Sequence, residues 1–115
     1  MTVTIYHNPR CSKSRQTLQL LLDKGIEPDI IEYLKTPPSK NELDEILKML
    51  AMEPRDLMRK QEKEYKNAHL DQPGLSRKDL ITAMIKHPIL IERPIVVANR
   101  KAVIGRPPEN VLGII

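Results

Sequence analysis

A single cysteine, Cys11, lies in the stretch His7-Asn8-Pro9-Arg10-Cys11-Ser12-Lys13-Ser14-Arg15. A thiol attacks as its thiolate, and this stretch is suited to hold that anion. It falls between a short β-prone segment and a helical pattern, so Cys11 is expected at a helix N-terminus. There, unpaired backbone N–H groups and the positive end of the helix dipole favour negative charge. Arg10, Lys13 and Arg15 add positive charge, and the same amides could cradle an oxyanion. The competing reading, a cysteine acting as a small core side chain, fits poorly with a run of charged and turn-forming residues.

The neighbours of Cys11 are open to two readings each. His7 could favour the thiolate as a cation or a donor, although spacing alone makes it a surface histidine at a strand end. Ser14, three residues past Cys11, could donate a hydrogen bond to sulfur or simply complete the start of the helix. Three arginines further on stand in notable settings. Arg93 interrupts the apolar run from Ile89 to Val97, and a charge at the mouth of a buried strand needs a partner or a ligand. Arg106 lies between the last β-prone segment and Pro107-Pro108, and Arg59 closes Asp56-Leu57-Met58. Guanidinium groups bind oxyanions in a bidentate fashion that lysine does not reproduce. Solvated or ion-paired arginines are the competing reading for each. His69 and His87 have no metal-ligand spacing, so no metal site is expected.

Composition narrows the classes further. The chain has 115 residues, which suits one domain. Lys and Arg number 19 against 15 Asp and Glu, a net charge of +4. The basic residues are interleaved with acids, and the three tyrosines are the only aromatics. That pattern speaks against a nucleic-acid surface, which would use stacking rings and a basic stripe. One cysteine excludes an internal disulfide, a CxxC couple and a cysteine-based zinc site. No apolar stretch approaches the roughly 20 residues that span a bilayer, and no signal-peptide pattern opens the chain. A lone thiol without an export signal points to the reducing cytoplasm.

The elements that must position these residues can be read in order. Val3-Thr4-Ile5-Tyr6 reads as a strand ending at Asn8-Pro9, and Ser12 to Lys24 as a helix with Leu18, Leu21 and Leu22 on one face and Gly25 as its stop. Asp29 to Leu34 reads as a second strand, parallel to the first through a right-handed crossover. Ser39 and Glu42 have capping-box spacing ahead of a helix with Leu43, Ile46, Leu47 and Leu50 on one face. A small helical insertion spans about residues 54–87, with Ser76 capping its last helix. The end reads as a β-hairpin, Pro94 to Ala98 and Ala102 to Gly105, with a short helix from near Pro107-Pro108-Glu109. The fold class is α/β, in one domain over residues 1–115.

Taken together, these residues resemble the glutaredoxin-coupled arsenate reductases. The similarity runs through Ile5-Tyr6-His7-Asn8-Pro9-x-Cys11-x-x-Ser14-Arg15, Tyr33-Leu34-x-x-Pro37-Pro38, Leu57-Met58-Arg59-Lys60, His87-Pro88-Ile89-Leu90-Ile91-x-Arg93-Pro94-Ile95-Val96-Val97 and Arg106-Pro107. The resemblance implies a thioredoxin-like mixed sheet flanked by helices. It implies that Cys11 is the catalytic cysteine, with His7 supporting the thiolate and Ser14 bonding to sulfur. It also implies that Arg59, Arg93 and Arg106 bind the oxyanion. The Arg93-Pro94 bond would be cis, although X-Pro bonds are usually trans. Arsenate would be reduced to arsenite through a Cys11 adduct, with glutathione as co-substrate, glutaredoxin as partner and no bound cofactor.

The chain departs from the family pattern in two places. Ser12-Lys13 stands where well-studied members have Gly-Thr, and the chain stops soon after its last helix, without the longer tail of some members. Two alternatives belong beside the reductase. One is a glutathione-linked thiol oxidoreductase with another substrate, since a fold does not determine a substrate. The other is an RNA-polymerase-binding stress regulator of the same fold; such regulators use a CxxC switch, whereas Ser14 stands at the second position here.

Overall fold

Residues Val3–His7 form β1, an inner strand about which the N- and C-terminal parts of the chain assemble in a computed structural model describing residues 2–115. β2 (Asp29–Glu32) pairs with it in parallel, Ile5 opposite Ile30. β3 (Ile95–Ala98) pairs on its other side, antiparallel, Ile5 opposite Val96. β4 (Lys101–Ile104) then pairs antiparallel with β3. The result is a mixed four-stranded sheet in the order β2-β1-β3-β4, as the resemblance implied. Asn99 and Arg100 turn the hairpin with both φ angles positive, 53° and 62°. A two-residue turn of that kind matches the twist of its strands, and Asn tolerates the conformation.

By its internal contacts the chain divides into two compact units, residues 1–36 with 93–115, and residues 37–92. In the first, α1 (Ser12–Asp23) and a C-terminal 3₁₀ segment (Pro108–Gly113) pack with the sheet and each other. Val3, Ile5, Leu21, Val96, Ala98, Val111 and Ile114 make one buried cluster. Gly25 ends α1 at φ 77°. Its N–H donates to Leu22 O and that of Ile26 to Leu21 O, a Schellman closure that glycine accommodates without strain.

Two expectations need correction here. The buried face of α1 carries Ser14, Thr17 and Leu21, while Leu22 is 46% exposed. The two hydroxyls can be buried because each finds partners inside the protein. β2 stops at Glu32, whose carbonyl accepts from both Lys35 N–H and Thr36 N–H, so Tyr33 and Leu34 turn away from the sheet. The short final helix expected from near Pro107-Pro108-Glu109 is a 3₁₀ segment that begins at Pro108.

The second unit is helical. α2 (Lys40–Leu50) buries Leu43, Ile46 and Leu47, and α5 (Arg77–Lys86) buries Leu80, Ile81 and Met84. Between them lie two short helices, α3 (Pro54–Leu57) and α4 (Lys63–Asn67), the latter burying Tyr65 from within the polar stretch Lys60–Lys66. α5 packs on α2, on α3 and on a 3₁₀ turn, Pro88–Leu90. Both long helices start with reciprocal capping boxes, Ser39 with Glu42 and Ser76 with Asp79. Arg77 Nε donates to Asp44 at 2.8 Å and, with Lys48, holds that carboxyl below the usual range. The helical segment expected over about residues 54–87 thus belongs to a larger unit that starts at Pro37 and takes in α2. Among the described residues no helix is long and apolar enough to cross a membrane.

Leu21 is fully buried in the cluster that joins α1 to the sheet. Leu21→Ala is expected to lower unfolding free energy by about 2–5 kcal/mol, read from denaturant midpoints followed by circular dichroism.

Candidate active site

Cys11 is the N-cap of α1, with extended backbone angles (φ −94°, ψ 123°) and a partly exposed side chain. A tight turn delivers it there. Cys11 N–H donates to Asn8 O at 3.0 Å, and Arg10 N–H donates to the Asn8 side-chain oxygen at 3.0 Å. Asn and Pro are the residue types that start such a turn, one by bonding its own backbone and the other by presetting φ. The Cys11 side chain does not cap α1, and the first turn of the helix holds no acidic residue. Negative charge at the sulfur, or on a group bonded to it, is favoured at such a terminus. Arg15 extends back along the turn, its Nη1 donating to Pro9 O at 2.9 Å.

Beneath the turn lies a buried polar network. Ser14 Oγ stands 2.6 Å from His7 Nδ1 and accepts from Asn8 N–H at 3.0 Å. Ser14 is fully buried, and His7 and Asn8 nearly so. The surface histidine that spacing alone suggested is therefore a buried one. β1 carries it inward, and the Ser14 hydroxyl supplies the partner that makes burial tolerable. Burial is also the main reason the imidazole is held below its ordinary pKa; Arg15 adds to the effect and the Glu32 carboxylate opposes it. A ring held below its ordinary pKa favours the hydrogen-bonding role over the cation reading.

The arginines separate between the two units. Arg93 stands two residues before β3 and Arg106 follows β4 by two residues, so the β3–β4 hairpin brings both to one end of the sheet. Arg106 Nη1 lies 3.5 Å from Arg93 O. Nε and Nη1 of Arg93 are shut off from solvent, whereas Arg106 is exposed. Both Arg93–Pro94 and Arg106–Pro107 are cis; the first was implied by the resemblance, the second was not anticipated. Arg59 belongs to the helical unit. Its N–H donates to Leu90 O at 2.7 Å, beside a bridge between Met58 and Ile91, and its guanidinium meets Glu62 at 3.0 Å and Glu92 at 3.9 Å.

Two residues at this end of the first unit escaped sequence reasoning. Thr17 is fully buried and donates toward Lys13 O and Gly105 O, and Gly105 stands just before Arg106. The only signals were a hydroxyl in the middle of a leucine-rich helix and a glycine at the end of an apolar strand.

A model of the ArsC family matches residues 6–114, from the penultimate residue of β1 to the penultimate residue of the chain. The chain belongs to the ArsC family. The curated Escherichia coli K12 protein YfgD, whose name assigns no activity, is 55% identical over 98% of this chain and 96% of its own length. A Haemophilus influenzae protein named arsenate reductase is 52% identical over the whole of both chains. The solved structure of an arsenate reductase from Vibrio cholerae superposes with a TM-score of 0.96 at 52% identity, covering 100% of this chain and 98% of that one. The thioredoxin-like sheet of the ArsC family is thus the fold described above.

The buried His7 gives a pH dependence with a definite sign. In the unfolded chain the ring protonates near its ordinary 6.5, whereas in the folded chain it resists protonation. The unfolded state binds more protons as pH falls through that value, so stability declines from pH 7 toward pH 5. In His7→Gln this part of the decline is expected to vanish, as read from urea midpoints at the two pH values.

Proposed function

We propose that this ArsC-family chain is an arsenate reductase that draws its electrons from glutathione and glutaredoxin. The observation that carries the reading is the placement of the only cysteine of the chain at the N-cap of α1, in a turn rich in cations. Similarity over full length to proteins named arsenate reductase supports the choice of substrate. In this reading Cys11 thiolate attacks arsenic, and one arsenate oxygen leaves as water after protonation. Arg93 and Arg106 neutralise the remaining oxygens, and the first-turn amides of α1 assist them. His7 and Ser14 hold the turn in place: His7 Nδ1–H donates to Ser14 Oγ, which leaves the Ser14 hydroxyl proton to donate toward the sulfur.

The electron count sets the need for partners. Reduction of As(V) to As(III) takes two electrons, which two thiols supply by joining as a disulfide. With one cysteine in the chain, no internal thiol can resolve the adduct. Glutathione attacks the adduct and displaces a second oxygen as water; a glutaredoxin thiolate then takes the glutathione as a mixed disulfide, leaving As(III) on Cys11, and water cleaves the Cys11–As bond to release arsenite and the thiolate. The net exchange converts arsenate and two thiols into arsenite, a disulfide and water.

The test couples arsenate turnover to NADPH oxidation through glutathione reductase, glutathione and glutaredoxin. Arsenate-dependent NADPH loss that requires both thiol partners is expected, and its absence with Cys11 confirmed as reduced would sink the proposal. Cys11→Ser is expected to fall to background. Arg93→Lys keeps the charge but loses the planar fork, so kcat/KM for arsenate is expected to drop about tenfold or more. Wild-type kinetics in that variant would remove Arg93 from the site.

A further inference from the structure

The proposed reaction makes no use of the Thr17 hydroxyl, although it is buried where the two arginine-bearing segments of the first unit meet α1. Thr17 Oγ1 lies 2.8 Å from Lys13 O and 3.2 Å from Gly105 O. Its single proton is therefore shared between the first turns of its own helix and the end of the hairpin. Gly105 in turn donates its N–H to Pro94 O at 2.9 Å. Its backbone is thus bonded on one side to α1 and on the other to the residue after Arg93.

The space at Gly105 is closed. A Cβ placed there would sit 2.6 Å from Thr17 Oγ1, 2.9 Å from Thr17 Cγ2 and 2.9 Å from Pro94 Cγ. Any side chain would force α1, Pro94 or the hairpin end to move. Arg106 is the next residue, and its Nη1 already lies against Arg93 O. At about 1.5 Å per residue, Thr17 stands roughly 9 Å along the helix from Cys11. It is close enough for a rigid helix to transmit position and too far for contact with the reacting atoms.

We infer that Thr17 and Gly105 form a clasp that sets Arg93 and Arg106 relative to the helix bearing Cys11, and that oxyanion affinity depends on this clasp while thiol reactivity does not. Both are positioning residues. The inference rests on the reductase reading, because it assigns the two arginines to arsenate.

Two readouts test it on the intact chain: steady-state kinetics, and the concentration of arsenate that protects Cys11 from iodoacetamide. In Gly105→Ala, arsenate KM and the protecting concentration are both expected to rise about tenfold, with kcat changed by no more than about threefold. The rate of Cys11 alkylation without arsenate stays at the wild-type value. Thr17→Val keeps the shape and drops the hydroxyl, and its KM is expected to rise about threefold. It serves as the second variant should Gly105→Ala fold poorly. Adding Thr17→Ala to Gly105→Ala relieves two of the three close approaches, so KM should recover in part. Unchanged KM in both Gly105→Ala and Thr17→Val overturns the clasp. A parallel fall of kcat and alkylation rate with no recovery in the double variant does so as well. If arsenate neither turns over nor protects in the wild type, the reductase reading itself fails and the clasp's role falls with it. That outcome is distinct from equal protection in wild type and variant.

Discussion

One oxygen atom, Ser14 Oγ, joins the end of β1 to the first turn of α1. It accepts from Asn8 N–H and stands in hydrogen-bond contact with His7 Nδ1. All three groups are buried, so each must be satisfied within the protein; an orphaned partner in such a place costs about 1–3 kcal/mol. The segment between β1 and α1 therefore has little freedom. Asn8 accepts from Cys11 N–H and Arg10 N–H, and the sulfur is delivered to the helix terminus. The position of the thiol follows from satisfying buried polar groups, not from any bond made by the cysteine side chain.

The way the long helices begin shows what that position is for. α2 and α5 start with a serine hydroxyl and a carboxylate that close their own first turns. α1 starts with Cys11, has no side-chain cap and carries no acid in its first turn. Two of the three termini are thus closed by side chains of the chain itself, while the one bearing the thiol keeps its positive end available to an anion. Charge follows the same division. The cations beside Cys11 include Arg10 and Lys13, whereas Arg59 in the helical unit is balanced by Glu62 and Glu92.

Much of the local structure was legible because its causes lie within a few residues. Ser39 with Glu42, and Ser76 ahead of α5, announced helix starts whose bonds the structure contains. The hairpin between Pro94 and Gly105 and the stop at Gly25 were likewise local matters, the turn itself closing on Asn99 and Arg100. The buried face of α1 was misjudged for the opposite reason. Leu22 is apolar yet exposed, and Thr17 is polar yet sealed, because the partner of the Thr17 hydroxyl, Gly105 O, lies 88 residues away. No periodicity within a helix reports a bond to a distant strand end.

The sequence by itself determined that the chain has one thiol and no second one to pair with it, that this thiol would open a helix, and that the chain is of the ArsC family. These follow from residue counts, turn chemistry and motif order, none of which depends on distant contacts. Only the tertiary structure decided that His7 is buried with its Nδ1 against the Ser14 hydroxyl, and that this burial lowers its pKa. Only the fold could show that Arg93 and Arg106 share one end of the sheet, with Gly105 wedged between Thr17 and Pro94 beside them. Such arrangements come from strand pairing and close packing, which join residues that the chain itself keeps far apart.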